Sequence, residues 1–402
     1  MTAETLSIVF IGLSITSSWG NGHAGTYRGL VRELSRRGHD VVFLERDLPW
    51  YAANRDLPRP PFGRTFLYRN LRDLKARFAG MVKGAHLVVV GSHVAEGAAV
   101  GRWVLDTALG IRAFYDIDVP HTLAWLARGG VDYLSPDLMG RYDLYLSCTG
   151  GPVLERIERD FGARMARVLY GSVDTEVHQP DSVPKRWTLG YLGNCTDDRR
   201  AKLDALLVQP AQTLRSERFI VVGPPLPGDP AWPGNVGRIN HLPPGEHRGF
   251  YCAQRYTLNV TRDEVVRTGW SPGTRLFEAA ACGAPVITDW WDGLDTIFVP
   301  GREILVVNSS EEVVTILRDL PDERRIEIGA AGRRRVLMAH TAAHRARELE
   351  SHLAEAVERR RITPTRRNTP ILDDDRREDR LLARNWEESP PAHHPAGSSA
   401  MP

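Results

Sequence analysis

The sequence predicts an α/β protein built from two doubly wound parallel-sheet domains in tandem, and three observations carry that expectation. Short apolar runs alternate with helical segments of roughly 10–15 residues from residue 6 to residue 340. Runs such as His86–Val90 (HLVVV) are apolar without interruption, as a strand covered on both faces requires, and parallel pairing needs crossovers of helical length. The series then restarts after the turn-rich segment Gly171–Lys185, which predicts two units with a cleft at the carboxyl ends of their strands. The expected division is 1–175, 186–340, a helix over 341–360 and a tail over 361–402.

In order, Leu6–Leu13 reads as the first strand and Thr26–Arg37 as a helix that Gly38 ends. Val41–Glu45 is the second strand. After a loop holding Pro49, Pro58, Pro60 and Pro61, Thr65–Phe78 reads as helix, His86–Val90 as strand, Ala95–Ala108 as helix and Arg112–Asp118 as strand. Pro120–Arg128 is a helix with proline in its first turn. Tyr142–Ser147, Pro152–Phe161 and Ala166–Tyr170 close the first unit as strand, helix and strand. In the second unit Thr188–Leu192, Phe219–Val222, Tyr256–Val260, Pro285–Thr288 and Ile304–Val307 read as strands. Helices are expected near Asp198–Leu207, His247–Gln254, Pro272–Cys282, Glu311–Leu320 and Asp322–His340, and Ala342–Arg360 is a charged amphipathic helix. Residues 361–402 carry seven Arg and seven Asp/Glu among Pro and Ser with few apolar residues, so they are expected to be disordered. A partner-binding peptide around Leu381–Trp386 is the minority alternative.

Composition excludes several classes. Of 402 residues, 42% are hydrophobic and 25% charged, which rules out a wholly disordered or fibrous chain. Lys and Arg total 52 against 50 Asp and Glu, a net charge of +2, so no general attraction to nucleic acid or anionic membrane is expected. The four cysteines, Cys148, Cys195, Cys252 and Cys282, have no zinc or redox spacing and read as reduced thiols. The N-terminus lacks signal-peptide features, and no apolar run reaches the ~18–20 residues of a membrane span. A cytoplasmic protein with no integral membrane segment is expected.

Two stretches carry chemistry. Gly20-Asn-Gly22-His-Ala-Gly25 matches G-x-G-x-x-G, with Glu45 twenty residues on, the set a dinucleotide fold uses for pyrophosphate and ribose. The preceding strand ends six residues before Gly20, however, whereas a dinucleotide loop turns at once. A loop that offers backbone N–H groups to a sugar or phosphate is favoured over nicotinamide binding; a flexible turn is the bland alternative. The second stretch runs from Trp270 to Asp289. Ser271 is expected as N-cap, Pro272 as first helical residue and Gly273 as an open entrance, where free N–H groups and the helix dipole favour a pyrophosphate. Thr274, Arg275 and Glu278 share one side of that helix. Glu278 is placed to accept hydrogen bonds from ribose hydroxyls; its alternative is a surface salt bridge with Arg275.

The run RLFEAAACGAPVITDWWDGLDTIF resembles the nucleotide-sugar-binding segment of group-1 glycosyltransferases of GT-B fold, most closely the spore-maturation-protein CgeB-like branch. GHDVVFLE (38–45), GSVDTEVHQP (171–180), YDIDVPHTL, YDLYLSCTGGP and TLNVTRDEVVRTGWSP are similar to that branch as well, so the resemblance covers about residues 6–345. It implies two Rossmann-like domains facing a central cleft, a nucleotide-sugar donor on the second and a hydroxyl acceptor mainly on the first. It also implies retention at the anomeric carbon, no metal, and no cofactor beyond the donor. The family commonly carries Glu, seven residues, then Glu; Glu278 matches the second, and Trp270 stands where the first would fall. Asp263 and Glu264 lie near enough in sequence to substitute. Related enzymes place a basic pair after the first strand of the second domain. Here Gly193 is followed by Arg199 and Lys202, with Arg275 as a third cation for the leaving diphosphate; solvated surface charges are the alternative for each.

On the acceptor side the candidates are Asp116, Asp118 and His121, which can orient a hydroxyl or take its proton, although Asp118 serves equally as an N-cap. Gly20, Gly22 and His23 are donor-side candidates in the glycine loop. Trp290 and Trp291 either stack on a ligand or pack. The expected activity is transfer of a sugar from a nucleoside-diphosphate sugar to an unidentified hydroxyl acceptor. The alternatives are a GT-B nucleotide-sugar epimerase and a non-catalytic sugar-nucleotide-binding scaffold.

Overall fold

Two parallel sheets organise a computed structural model of the chain, which describes residues 5–126, 128, 131–193, 196–224 and 232–362. Cys195, Asn194 and the tail from 363, with Leu381–Trp386, lie outside the described residues. The first sheet holds β1 (Ser7–Gly12), β2 (Asp40–Arg46), β3 (Arg64–Tyr68), β4 (Leu87–Gly91), β5 (Ile111–Asp116), β6 (Leu144–Ser147) and β7 (Ala166–Val168), in the order β3-β2-β1-β4-β5-β6-β7. The second holds β8 (Trp187–Leu192), β9 (Phe219–Val222), β10 (Val236–Ile239), β11 (Gln254–Asn259), β12 (Val286–Thr288) and β13 (Leu305–Val306), in the order β10-β9-β8-β11-β12-β13. Every pairing between these strands is parallel; Val9, for example, lies between Val42 and Val88. Each order reverses once, between β1 and β4 and between β8 and β11, and such switch points leave a crevice beyond the carboxyl ends of the strands.

The stretch Thr65–Phe78 is not one helix. Arg64–Tyr68 pairs with β2 as an edge strand, and the helix is Leu71–Gly84, started by Asn70, whose side chain accepts from the Asp73 N–H. Thr65, Phe66 and Tyr68 prefer a pleated surface, and that tertiary pairing outweighs the helical spacing. The short edge strand β10 and the helix Asp263–Thr268 were not expected, because neither has enough apolar residues to show a period.

The last helix, Ala342–Ile362, is a wall of the first domain rather than an appendage. Ala346, Leu349, Leu353 and Ala356 fall on one helical stripe and pack with Ile8, Phe10, Tyr27 and Leu30. Glu350 anchors it to His39 at 2.8 Å, and His352 Nε2 lies 3.0 Å from the Val168 carbonyl. Among the described residues no helix is long and apolar enough to cross a membrane.

Candidate active site at the paired switch points

The segment after β1 is held from beneath by Glu45. Its carboxylate is fully buried and accepts from the N–H of Ile15 at 2.7 Å, the N–H of Thr16 at 2.9 Å and the Thr16 hydroxyl at 2.6 Å. The acid that a dinucleotide site would turn towards a ribose is therefore consumed in pinning this loop. Asn21 finishes the turn: its amide donates to the Ser17 carbonyl at 3.2 Å, and its Oδ1 accepts from the His23 N–H at 3.0 Å. The helix His23–Arg36 thus starts at the crevice. Gly22 and His23 line it, whereas Gly20, in the left-handed region at φ 59°, forms the exposed turn outside it.

Between the two switch points lies a cavity of about 220 Å³. The first domain contributes Gly22, His23, Thr26 and Asp118, and the second Arg199, Thr261, Arg262, Ser271, Thr274 and Arg275. The helix Thr274–Ala281 begins with Gly273, not Ser271, as its cap, and no side chain caps it. Gly273 is extended, at φ −70° and ψ 143°, so Ser271 and Pro272 precede the helix and the Ser271 hydroxyl is a lining group. Among the described residues the first-turn N–H groups beside the cavity have no side-chain partner, which is the arrangement that attracts an anion.

Three guanidinium groups concentrate positive charge there. Arg275 lies over the Tyr191 ring at 5.7 Å, and its Nη1 is buried without a hydrogen-bond partner among the described residues. Gly193 makes room for it, since a Cβ at that position would fall 2.3 Å from Nη1; Gly193 acts through Arg275 and does not itself line the cavity. Burial, together with the charges of Arg275 and Arg262, lowers the pKa of Arg199. Arg262 reaches across the cleft to Asp118, with Nη2–Oδ1 at 2.6 Å. The structure does not bring Lys202 to this cavity. Its Nζ donates to the Thr261 carbonyl at 2.9 Å and lies 3.1 Å from Asp289 and 3.3 Å from Asp263, beside a separate cavity that exposed Trp290 also lines. Asp263 and Glu264 do not line this cavity either.

The acceptor-side candidates separate into different roles. Asp116 is fully buried, accepts the Tyr145 hydroxyl at 2.6 Å and the Asp118 N–H at 2.9 Å, and does not reach the cavity. Burial pushes its carboxyl up to about 6. Asp118 stands at the start of the helix Val119–Leu126, where its carbonyl accepts the Thr122 N–H at 3.0 Å, and its side chain faces Arg262 and, at 3.8 Å, His93. Burial would raise its pKa, but His93 and Arg262 outweigh burial and hold it well below the usual carboxylate range. The His121 ring stands behind, 5.8 Å from His93 and 6.0 Å from Trp125. His23, 5.3 Å from His93, is lowered to about 4, mainly by burial, and is neutral at pH 7. Neither His93 nor Arg262 was singled out from sequence; both follow strands that flank a switch point, and that position is the signal that finds them.

The raised Asp116 carboxyl predicts a pH effect on stability. A carboxyl with a higher pKa folded than unfolded stabilises below its unfolded value, and that contribution is lost as pH rises through the folded value. Asp116 moves from 3.8 to about 6, and a shift of two units corresponds to about 3 kcal/mol. Asp116→Asn keeps one oxygen to accept the Asp118 N–H and turns its amide N–H towards the Tyr145 hydroxyl oxygen in place of the accepted bond; it is expected to gain stability relative to the wild type as pH rises from 4 to 7 in urea titrations. A difference between the two proteins that is constant with pH would contradict this.

Glu278 sits one turn beyond Arg275, and its polar partners are not Arg275. It accepts the Tyr251 hydroxyl at 3.2 Å and lies 3.9 Å from His247 Nδ1. Burial would raise its pKa, but His247, His178 and Tyr251 outweigh burial and hold it at about 2. Trp270 takes the left-handed region at φ 52°; its N–H donates to the Asp292 carbonyl at 2.6 Å and its carbonyl accepts the Gly150 N–H at 2.8 Å. Its ring packs between Gly151 of the first domain and Gly293 of the second, where a Cβ on either would approach it to 2.4 Å. Trp291 is buried core at the cavity wall. The three described cysteines are free, and burial pushes the Cys148 thiol up to about 12, which removes it as a nucleophile.

Two sheets with opposed switch points define the GT-B fold, and comparison with solved structures agrees. The chain superimposes on sucrose-phosphate synthase from Thermosynechococcus elongatus with a TM-score of 0.63 at 15% identity, covering 88% of this chain and 100% of that one. It matches Anabaena HepE in complex with UDP-glucose at a TM-score of 0.64 and 13% identity, covering 87% and 100%. An alpha-glucosyltransferase in complex with UDP and DNA gives 0.64 at 11% identity, covering 87% and 99%. Within the second domain and beyond it, residues 199–351 match the family model described as glycosyl transferase-like. A search of curated proteins finds no match.

Proposed function

We propose that the chain is a glycosyltransferase that binds a nucleoside-diphosphate sugar in the cavity and passes the sugar to a hydroxyl acceptor on the first domain's side. The observation that carries the proposal is the meeting of Arg199, Arg262, Arg275 and an uncapped helix start in one cavity of about 220 Å³. Such a set fits a diphosphate by charge and by hydrogen-bond geometry. The glycosyl transferase-like match over 199–351 and the UDP-glucose bound to HepE support the same reading.

In this mechanism the bond from the anomeric carbon to the diphosphate oxygen breaks, and its electron pair leaves with the diphosphate. Arg275, Arg199 and the helix start stabilise the charge that develops there. Glu278, ionised at neutral pH, accepts the ribose hydroxyls. The acceptor oxygen approaches beside Asp118 and His23 and bonds to the anomeric carbon from the side the diphosphate leaves, and its proton passes to the departing phosphate, as the retaining course implied by the family resemblance has it. The ion pair between Asp118 and Arg262 closes the cleft, and an incoming diphosphate draws Arg262 away from it.

Calorimetry with UDP-, GDP-, dTDP- and ADP-sugars tests the proposal. One donor is expected to bind, and Glu278→Gln is expected to weaken it by roughly 10–100-fold, the worth of hydrogen bonds to a charged group. Absence of binding by every donor overturns the transferase reading. Sugar interconversion without an added acceptor would identify an epimerase, and binding without transfer or donor hydrolysis a scaffold.

A further inference from the structure

Beside the cavity, the second domain assembles a cluster of different chemistry. His178 comes from the crossing segment before β8, His247 from the first position of the helix His247–Cys252, and Glu278 from the helix Thr274–Ala281. One ligand atom from each lies within 4.8 Å of the others. His178 is only 9% exposed, and among the described residues neither of its ring nitrogens has a hydrogen-bond partner. A buried polar group left unmet costs about 1–3 kcal/mol, so an imidazole with both nitrogens unmet points to a ligand that meets one of them.

The donor set specifies the ligand. Two imidazoles and a carboxylate suit a borderline cation that takes three protein ligands and leaves a fourth position open. Calcium and magnesium prefer six or more oxygens, and this cluster offers too few. We propose that His178, His247 and Glu278 form a zinc-class divalent-cation site. Zinc bonds of about 2.0–2.2 Å require the three donors to close to roughly 3.4 Å of one another, so the His247 ring, now 3.9 Å from Glu278, moves inward on binding. Tyr251 keeps its hydroxyl on the same carboxylate and orients it. Because Glu278 is also the ribose acceptor of the proposed function, zinc and donor exclude one another there; this consequence rests on that reading, and the site itself does not.

Zinc chloride titrated into chelator-treated full-length protein tests the site. The wild type is expected to bind one equivalent, magnesium chloride to show no binding, and each of His178→Gln, His247→Gln and Glu278→Gln to weaken zinc by at least about tenfold. Thermal melts establish that the variants are folded, and His178→Asn serves if the glutamine does not fit. Cys252, whose thiol is lowered to about 7 chiefly by its hydrogen bond with Cys282, is the rival zinc ligand. Cobalt substitution separates the two, because the proposed site gives visible d–d bands without a thiolate-to-cobalt charge-transfer band. No zinc binding, zinc affinity unchanged from the wild type in all three variants, or a thiolate band each overturns the proposal. Zinc is further expected to weaken UDP-glucose binding in the wild type and not in His178→Gln. If zinc binds while UDP-glucose affinity is unchanged, the ribose assignment of Glu278 fails and the metal site stands.

Discussion

Arg275→Ala is expected to lower turnover by about 100–1,000-fold, the usual cost of removing one donor that stabilises developing negative charge, while the fold stays intact. Arg275 is the second residue of a helix whose start lacks a side-chain cap, and among the described residues its Nη1 is buried without a hydrogen-bond partner. That atom is held for a ligand: the Tyr191 ring lies beneath the guanidinium and Gly193 clears the space for it. Removing it also relieves repulsion with Arg199, whose proton affinity Arg275 lowers, so the melting temperature is expected to hold or rise. Arg275→Lys should recover part of the loss, since lysine restores a point charge but not the paired planar donors. Steady-state kinetics with the donor found by calorimetry decide the matter. If turnover falls by less than about fivefold, Arg275 is not a leaving-group residue and the anion site lies elsewhere in the cleft.

Much of this arrangement was legible in the sequence, for identifiable reasons. Buried parallel strands leave uninterrupted apolar runs, so β1, β4 and β9 are visible directly. Edge strands do not, and β3 was hidden inside a helical spacing while β10 left no signal. In the cavity Gly22, His23, Arg199, Ser271, Thr274 and Arg275 were found because each sits on a local motif at a helix start. The residues missed act through contacts distant in sequence. Arg262 meets Asp118 across 144 positions, and His178 and His247 meet Glu278 from separate elements. Glu45 was the reverse case: its spacing imitated a dinucleotide site, and only its three hydrogen bonds to Ile15 and Thr16 reveal a loop anchor. Lys202 shows the limit of motif transfer, since one turn of helix carries it from Arg199 towards Asp289 and a different cavity.

Trp270→Glu, which would restore the family's paired acids in sequence, is expected to destabilise the protein by about 3 kcal/mol, the lower end of the range for losing a large aromatic from a packed site, and not to tighten donor binding. The Trp270 backbone is fixed on both sides, by Asp292 in its own domain and by Gly150 in the other. Its ring fills the gap that Gly151 and Gly293 leave, so it is a wedge between domains at a left-handed position that few residues adopt at no cost. A glutamate there loses the packing and places a carboxylate against the strand-end loops. Trp270→Phe keeps most of the wedge and should retain most of the stability. Urea denaturation of the three proteins, alongside donor calorimetry, separates the two readings of this position. If Trp270→Glu proves as stable as the wild type and binds donor more tightly, the position belongs to the sugar site and the aromatic is a lost contact. If it unfolds earlier while Trp270→Phe does not, the chain has exchanged a sugar-side acid for a domain contact, and whatever orients the transferred sugar must come from other residues of the cavity wall.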